Sequence, residues 1–260
     1  MNIKILVATH KKAPMPEGKD IYFPILVGAY KNYKKEITYQ RDDIGDNISK
    51  KNSSYNELTA IYWAWKNLDA DIVGLVHYRR YFFKNVVNKD LKNVIDKNDI
   101  EALLSKHDVI LPRKRNYIIE TNYSHYIHAH HKEPIDETRK IIARYYPEYL
   151  SSFDKVMSRR KAHMFNMFIM KRNLFDNYSK WLMGVLDKLE DKIDISNYSV
   201  QESRVFGYVS EVLMDVWIET NGVNYVEVPW KQIGKVRLFS KVFNFLKRKF
   251  LPNSKSRTHF

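Results

Sequence analysis

The chain alternates short apolar segments with amphipathic ones, and this order restricts its fold more than any other feature. Ile3–Ala8 (IKILVA) and Asp71–Val76 (DIVGLV) are apolar and rich in β-branched residues, which is typical of buried strands. The helical periodicity between them predicts a helix N-capped by Ser53 or Ser54, with Glu57 completing a capping box. A strand, a helix and a strand in this order predict a parallel sheet with right-handed crossovers, in an α/β fold.

The same alternation continues toward the C-terminus. Further strands are predicted at 109–111 and 164–170, and further helices near 100–106, 136–145, 174–189 and 200–219. The segment Ile21–Val27 contains Pro24, which cannot donate to a sheet ladder. We therefore expect this segment to be a loop or an edge strand and not a central one.

The charge of the chain points to an anionic partner. Lys and Arg number 44 against 30 Asp and Glu, for a net charge of +14, and 44% of the residues are hydrophobic. Residues 235–250 place apolar side chains on one helical stripe among basic ones, so an amphipathic basic helix is predicted for the C-terminal tail, residues 231–260. Such a helix suits an anionic membrane surface, although a packed helix and nucleic-acid binding are also compatible with it.

Several classes of protein are excluded by composition. The sequence has no cysteine, so disulfides, thiolate metal ligands and a cysteine nucleophile are excluded. The apolar run at the N-terminus is too short for a signal peptide, and no segment approaches the roughly 20 apolar residues of a membrane-spanning helix. Together with the basic tail, these observations lead us to expect a cytoplasmic protein that is peripheral on the inner face of the membrane.

Four separated sequence words resemble one known family. They are GDNISKKNSSYNELTAIYWAWKN at Gly45–Asn67, GLVHYRRYF at Gly74–Phe82, NMFIMKRNLFDNYSKWL at Asn166–Leu182 and QESRVFGYVSE at Gln201–Glu211. Through them the chain resembles a family of bacterial capsule and exopolysaccharide proteins described as a domain of unknown function (DUF4422) and associated with galactosyl or galactofuranosyl transfer. The resemblance implies a GT-A-like, Rossmann-type αβα domain that binds a nucleotide sugar, over residues 1–230.

The resemblance also implies an activity. A glycosyltransferase of this kind would move a hexose, galactofuranose or galactose, from a UDP-sugar to a lipid-linked oligosaccharide acceptor by inverting displacement. The product would belong to a capsule, an O-antigen or an exopolysaccharide. The alternative is a non-catalytic protein of the same fold that acts in polysaccharide assembly or binds nucleic acid. Nucleic acid is not the expected partner, because no known nucleic-acid-binding motif accompanies the charge.

The candidate donor site follows the strand Asp71–Val76. Most GT-A enzymes have an Asp-x-Asp metal motif there, whereas this chain has His77, Tyr78, Arg79 and Arg80. A hard cation prefers carboxylate oxygens, so a reaction without metal or other cofactor is favoured, with Mn²⁺ or Mg²⁺ left open. The arginines are predicted to neutralise the diphosphate, and strand parity favours Arg79 over Arg80.

Two loops supply the remaining donor-binding candidates. Ligands of parallel sheets bind beyond the carboxyl ends of the strands, which points to Thr9, His10 and Lys11 after the first strand. The resemblance adds a polar loop whose candidates for the ribose, base, phosphate or sugar are Asp43, Asp46, Asn47, Lys51 and Asn52. An Asx-turn loop would explain the Asp and Asn residues of this loop equally well.

A general base for sugar transfer should be a carboxylate near the acceptor hydroxyl. Glu202 is the first candidate because it opens the predicted final helix, and Glu211 and Asp136 are the reserves. The predicted acceptor-binding residues are His125, His128, Asn166 and Gln201. The histidine-rich segment 125–131 is interpreted as a polar acceptor loop, because its histidines lack the spacing of a zinc site.

Overall fold

The computed structural model describes residues 1–17, 20–85, 87 and 90–234. Its strands are β1 (Ile3–Thr9), β2 (Tyr22–Leu26), β3 (Gln40–Arg41), β4 (Ile72–His77), β5 (Arg80–Phe82), β6 (Val109–Pro112), β7 (Arg115–Asn116), β8 (Lys161–Ala162), β9 (Phe168–Lys171), β10 (Tyr225–Val228) and β11 (Trp230–Gln232). Its α-helices are α1 (Ala29–Asn32), α2 (Asn52–Tyr55), α3 (Leu58–Asn67), α4 (Lys97–Leu104), α5 (Asn122–Ala129), α6 (Glu133–Tyr145), α7 (Leu150–Ser158), α8 (Arg172–Glu190) and α9 (Val205–Asn221).

A mixed sheet forms the centre of the molecule, in the strand order β10-β6-β9-β4-β1-β2-β3. Strand β1 pairs in parallel with β2 and β4, and β10 pairs in parallel with β6. Strand β9 runs antiparallel between β4 and β6, while β5 joins antiparallel to the end of β4 and to β11. The predicted α/β class is confirmed, although β9 interrupts the expected all-parallel order.

The central strands are buried on both faces, which explains their continuous apolar runs. Leu6 and Ala8 of β1 face the side covered by α3 and α6–α9, whereas Ile5 and Val7 face the side that includes α4. All four side chains are at most 5% exposed. Because side chains cover β1 on both faces of the sheet, a polar ligand cannot contact most of its length. A ligand can reach β1 at its carboxyl end.

The expectation for Ile21–Val27 is wrong, because β2 lies inside the sheet between β1 and β3. Pro24 aligns with Val7 of β1, and β3 pairs only with the last two residues of β2, Ile25 and Leu26. At Pro24 the strand therefore has a ladder on one side only, which is a position that proline tolerates.

The predicted capping box at the start of α3 is also wrong. Asn56, with φ 52°, separates α2 from α3, and the hydroxyl of Ser54 donates to the backbone oxygen of Lys51. Glu57 precedes α3 without any side-chain capping bond, and its Oε1 accepts a 2.7 Å hydrogen bond from the Asn166 side chain. The break at Asn56 therefore frees the Glu57 carboxylate for a contact across the fold.

Two other predicted elements begin later than expected. Strand β9 starts at Phe168, because Phe165 and Asn166 form a turn with φ values of 74° and 53°. Helix α9 starts at Val205, after a 3-10 turn over Glu202–Arg204. In the described part of the chain, no helix is long and apolar enough to cross a membrane. The predicted tail helix over residues 235–250 lies outside the described residues.

Candidate active site

A tight hairpin at the end of β4 determines which arginine faces inward. His77 ends β4, Tyr78 and Arg79 form the turn, and Arg80 begins β5 directly opposite His77. Opposed residues of an antiparallel pair share one face of the sheet, so His77 and Arg80 lie side by side. Arg79 is exposed, whereas Arg80 is half-buried with its guanidinium 4.2 Å from the centre of the Phe165 ring. The strand-parity argument therefore does not apply, because the strand does not continue through the turn, and the role of Arg79 at the diphosphate stays a prediction.

The Phe165–Asn166 turn connects the segments of the site. The carbonyl oxygen of Phe165 accepts a 2.6 Å hydrogen bond from His77 Nε2, so this nitrogen must carry a hydrogen. The Phe165 backbone also favours the charged form of the Glu211 carboxyl and so lowers its pKa. Asn166 donates to Glu57 and accepts a 3.0 Å hydrogen bond from the Ser210 hydroxyl. This turn thus holds the end of β4, the start of α3 and the middle of α9 around one point.

Two carboxylates, Glu57 and Glu211, share this point with Arg80. Burial, and after it the negative charge of Glu57, raise the pKa of Glu211 to about 7, although the positive charge of Arg80 opposes both effects. Burial lowers the pKa of His77, which keeps its ring neutral near pH 7, and it also lowers the pKa of Arg80. A carboxyl group with a pKa near 7 can accept a proton from a substrate at neutral pH and release it again.

A group of cationic side chains, here called the basic mouth, lies beside these carboxylates and consists of Lys11, Arg79 and Arg204. All three lower the pKa of His10, although desolvation of its ring is the largest cause. Tyr78 lies among them, with Lys11 Nζ at 5.8 Å and the Arg79 guanidinium at 5.0 Å from its ring centre. The basic mouth lies at the carboxyl ends of β1 and β4, which is where ligands of such sheets bind.

Arg204 and Thr9 shape the basic mouth through their own bonds. Arg204 Nε donates a 2.8 Å hydrogen bond to Asn56 Oδ1, and this bond ties the 3-10 turn to the break before α3. The Thr9 hydroxyl donates to the backbone oxygen of Lys11 at 2.6 Å. Thr9 therefore closes the loop after β1, and the Lys11 side chain is left exposed.

A small cavity of about 40 Å³ adjoins Glu211. Half of the residues that line it are aromatic, namely Tyr117, His125, Tyr126, His130 and Tyr208. The Tyr126 hydroxyl and the Asn122 side-chain oxygen are buried there without a hydrogen-bond partner in the described part of the structure. A cavity of this size and polarity has room for a few ordered water molecules next to the carboxylate.

The five predicted donor residues of the polar loop are held by other groups. None of their contacts involves Glu57, Glu211 or Arg80. Asn47 forms an Asx turn by accepting a hydrogen bond from the backbone of Ser49, as the alternative interpretation of this loop predicts. The other contacts join Asp43 to Arg41, Asp46 to Tyr62, Lys51 to Glu190 and Asn52 to the backbone of Asn56.

The first candidate base is also engaged elsewhere. Glu202 binds His131 Nε2 at 3.1 Å and accepts the backbone N–H of Ser199. Asp136 accepts the Tyr123 hydroxyl at 3.0 Å and is held by Lys132. Among the three predicted carboxylates, Glu211 is the one that the structure brings to Arg80 and the Phe165–Asn166 turn.

The predicted acceptor residues are divided between two places. Asn166 lies at the carboxylate pair, and Gln201 hydrogen-bonds Tyr208, which lines the cavity. His125 and His128 each bind one oxygen of the buried Glu120 carboxylate at 2.8 Å. His125 thereby reaches the cavity beside Glu211, whereas the His128 side chain remains 55% exposed.

Glu57 and Arg204 are residues of the site that the sequence alone does not single out. The spacing of Ser54 and Glu57 predicts a capping box, and this local pattern gives no indication of the contact that Glu57 makes across the fold. Arg204 lies within Gln201–Glu211, one of the four segments that resemble the family, and this position is the signal in the sequence that points to it.

The residue types that follow β4 differ from the usual ligands of a hard metal ion. No group of three or more His, Asp or Glu in the described ranges is arranged to hold one. The positive charge of Arg80 acts on both carboxylates of the site, and one of them is already bound by Asn166. Residues 77–80 supply imidazole, phenol and guanidinium groups in place of the oxygen ligands that Mg²⁺ and Mn²⁺ prefer.

Comparison with known proteins places this fold and site in a family. The family described as "Domain of unknown function (DUF4422)" matches residues 4–222, and the chain belongs to it. The fold is also similar to the apo structure of WbbM, a bifunctional glycosyltransferase, with a TM-score of 0.83 and 30% sequence identity. That match covers 90% of this chain and 46% of the WbbM chain, so this protein spans less than half of WbbM. No curated protein matches the sequence.

Proposed function

We propose that the protein is a glycosyltransferase that moves a hexose from a nucleotide-sugar donor to a glycan acceptor. Membership of the DUF4422 family and similarity to part of a bifunctional glycosyltransferase support this class of activity. The main observation is the arrangement of Glu57, Glu211 and Arg80 beside the basic mouth. Sugar transfer needs a base for the acceptor and cations for the departing diphosphate, and a pair of carboxylates beside three cations supports both roles.

The basic mouth would bind the diphosphate of the donor. Guanidinium groups bind phosphate with paired donors and stay charged at any working pH, so Arg79 and Arg204 are suited to this role, with Lys11 as a third cation. Three fixed positive charges would also stabilise the charge that develops on the leaving phosphate oxygen. We therefore propose that these side chains replace the metal ion of other GT-A enzymes.

Glu211 is the proposed general base. As the acceptor hydroxyl attacks the anomeric carbon, its proton moves to the Glu211 carboxylate, and the bond between that carbon and the diphosphate oxygen breaks. The bonding electrons leave with the nucleoside diphosphate, and displacement from the opposite face inverts the anomeric centre. Glu57 would keep Glu211 basic through its negative charge, while Asn166 and His77 hold the surrounding turn in place.

The finer assignment follows the family resemblance. The donor would be UDP-galactofuranose or UDP-galactose, and the acceptor a lipid-linked oligosaccharide of a capsule, O-antigen or exopolysaccharide. Such an acceptor would require the protein to work at the inner surface of the membrane, as a peripheral protein. The net charge of +14 supports contact with anionic lipid.

Ligand-induced stabilisation separates this proposal from a non-catalytic protein of the same fold. The melting temperature would be measured with UDP, GDP, CMP and their sugar conjugates, in EDTA and in Mn²⁺. We expect UDP to raise it in EDTA, and Arg79→Ala to reduce that rise and the slow hydrolysis of the UDP-sugar. No response to any nucleotide would favour the non-catalytic alternative, and a response that appears only with Mn²⁺ would contradict the replacement of metal by arginine.

A further inference from the structure

The segment between β7 and α5 presents two isoleucines to solvent next to several basic side chains. Ile118 is 71% exposed and Ile119 is 51% exposed. Arg115, Arg160 and Lys161 are exposed beside them. We call these five residues the basic–apolar tip, and the proposed chemistry of sugar transfer assigns no role to any of them.

Backbone contacts bring the two halves of the tip together. Asn116 pairs with Lys161 and Arg115 with Ala162 in the β7–β8 ladder. The Arg160 guanidinium donates a 3.2 Å hydrogen bond to the Ile118 carbonyl. The isoleucines therefore project between cationic groups that come from two separate segments of the chain.

The conformation of the tip is strained and fixed at both ends. Ile118 has φ 61°, which is rare for a β-branched residue, and Ile119 N–H donates to the Tyr117 carbonyl at 2.6 Å to close a three-residue turn. On one side, Tyr117 is buried with its ring stacked on His125 at 3.8 Å. On the other side, the Glu120 carboxylate is buried against two histidines. These anchors hold the two isoleucines outward, where they cannot fold back onto the core.

The charge around the tip selects its partner. The sequence from Arg113 to Ile119 (RKRNYII) and from Ser158 to Ala162 (SRRKA) contains no acidic residue. Lys114 and Arg159 are paired with Glu227 and Glu219, so the basic border of the tip consists of its own three cations, Arg115, Arg160 and Lys161. Exposed aliphatic side chains within a basic border match the interface of an anionic bilayer, where apolar insertion and electrostatic attraction add. We propose that the basic–apolar tip inserts into the interfacial region of a membrane that contains anionic lipid.

The basic–apolar tip lies close to the candidate active site, which suggests a role for its contact with the membrane. Tyr117, the residue before Ile118, lines the cavity beside Glu211. A bilayer at the tip would therefore lie on the cavity side of the candidate active site, where a lipid-linked acceptor could approach the base. This role rests on the proposed function, whereas binding to lipid can be measured without any sugar donor.

Site-specific labelling tests the insertion directly. The chain has no cysteine, so Ile118→Cys provides one site for an environment-sensitive fluorophore in the 260-residue chain. Ile44→Cys is the matched control, because Ile44 is 53% exposed in the loop that follows β3. With phosphatidylcholine vesicles that contain phosphatidylglycerol, we expect a blue shift and a rise in emission at position 118 only, and no change with pure phosphatidylcholine.

Cosedimentation with the same vesicles measures the contribution of each part of the tip. All variants retain residues 235–260, so any contribution of the tail is constant. Ile118→Asn with Ile119→Ser should lower the partition coefficient at least about tenfold, and loss of Arg160 and Lys161 should lower it about fivefold for each charge. Asparagine tolerates the backbone of Ile118, and thermal melting would verify that the variants fold.

Three results would overturn the proposal. The first is a fluorophore at position 118 that does not respond to anionic vesicles. The second is an equal response at position 44. The third is a response at position 118 that depends on protein concentration in the absence of vesicles, which would make the tip a contact between copies of the chain. A protein that binds vesicles through the tip but transfers no sugar would retain the lipid site and contradict the proposed function alone.

Discussion

Asn166 holds Glu57 in place across the fold. Its side-chain nitrogen donates a 2.7 Å hydrogen bond to Glu57 Oε1, and its oxygen accepts one from Ser210 of α9. Asn166 itself has φ 53°, a conformation that asparagine and glycine adopt more readily than other residues. One residue therefore provides both the backbone shape of the turn and the contact that sets the carboxylate beside Glu211.

Two substitutions separate these contributions of Asn166. Asn166→Ala removes the side-chain bonds and also disfavours the turn, whereas Asn166→Gly removes only the bonds. We expect the alanine variant to be less stable than the glycine variant by about 1 kcal/mol, measured by urea unfolding, because alanine is strained at positive φ. Both should lose similar activity, since both release Glu57. Equal stability of the two variants, or full activity of either, would contradict this account.

Asp42 is predicted to be essential for stability and not for chemistry. It is fully buried and accepts hydrogen bonds from the backbone N–H groups of Gly28 and Ala29 and from the hydroxyls of Ser49 and Thr59. Asp42→Ala leaves three buried donors without a partner, because the Thr59 hydroxyl can still donate to the Asn56 backbone oxygen. We therefore expect the free energy of unfolding to fall by about 3 to 5 kcal/mol.

The adjacent Asp43→Ala is the matched control for Asp42→Ala. Asp43 pairs with Arg41 in a partly exposed ion pair, whose loss should cost at most about 1 kcal/mol. Chemical denaturation of both variants measures the difference. Similar losses in the two would show that the hydrogen bonds of Asp42 do not stabilise this loop as the geometry indicates.

Gly207 is predicted to control Arg204 through Asn56. A Cβ atom at Gly207 would lie 2.4 Å from Asn56 Nδ2, the end of a side chain that can move. Gly207→Ala should therefore displace the Asn56 amide and release Arg204, which now donates to Asn56 Oδ1. We expect UDP affinity to fall about tenfold with little change in stability, measured by calorimetry and thermal melting.

Gly184→Ala is a suitable control for that experiment. In α8 the added Cβ atom would meet the Tyr146 hydroxyl at 2.5 Å, which is a comparable clash on another helix. Neither Gly184 nor Tyr146 contacts the residues of the basic mouth, so UDP affinity should be unchanged. If both alanine variants weakened UDP binding equally, the effect would be general, and the link between Gly207 and Arg204 would be excluded.

The raised pKa of Glu211 makes stability depend on pH. The folded protein holds this proton up to about pH 7, whereas the unfolded chain releases it near the ordinary value of 4.5. Because the folded state binds more protons between these values, this group lowers the free energy of unfolding as pH rises through that window. The glutamine of Glu211→Gln cannot titrate. Between pH 5 and pH 8 we therefore expect the free energy of unfolding of this variant to fall by about 2 to 3 kcal/mol less than that of the unsubstituted protein.

Urea unfolding of Glu211→Gln and of the unsubstituted protein at both pH values measures this effect. Glutamine preserves the shape of the side chain, so the comparison isolates ionisation. If the free energy of unfolding fell equally with pH in both proteins, burial would not raise the pKa of Glu211. The assignment of Glu211 as a base at neutral pH would then lose its physical support.

The central strands could be predicted because their signal is local. The apolar, β-branched runs of β1 and β4 are visible in any short window, and their carboxyl ends correctly pointed to residues 9–11 and 77–80 as one region. The position of Pro24 inside the sheet could not be predicted in this way, because it depends on how few residues of β3 pair with β2.

The arrangement of the site was harder to predict because it depends on tertiary contacts. Strand parity does not predict that Arg80 is the arginine beside His77, since the turn at Tyr78 and Arg79 reverses the chain. The sequence predicts that Glu57 caps a helix. In the structure the positive φ of Asn56 ends α2 before Glu57, and the Glu57 carboxylate accepts a hydrogen bond from Asn166. Glu202 and Glu211 both lie in the same sequence word, and only the packing of α9 against the Phe165–Asn166 turn distinguishes them.

The most direct measurement compares sugar transfer by Glu211→Gln and Glu202→Gln, with UDP affinity measured for each variant. If Glu211 is the base, kcat of Glu211→Gln should be lower by a factor of about 10² to 10⁴, and this variant should still bind UDP. The kcat of Glu202→Gln should stay within about threefold of that of the unsubstituted protein. The activity of the unsubstituted protein should also rise with pH through an apparent pKa near 7. Full activity in Glu211→Gln, with activity lost in Glu202→Gln, would contradict the assignment of Glu211.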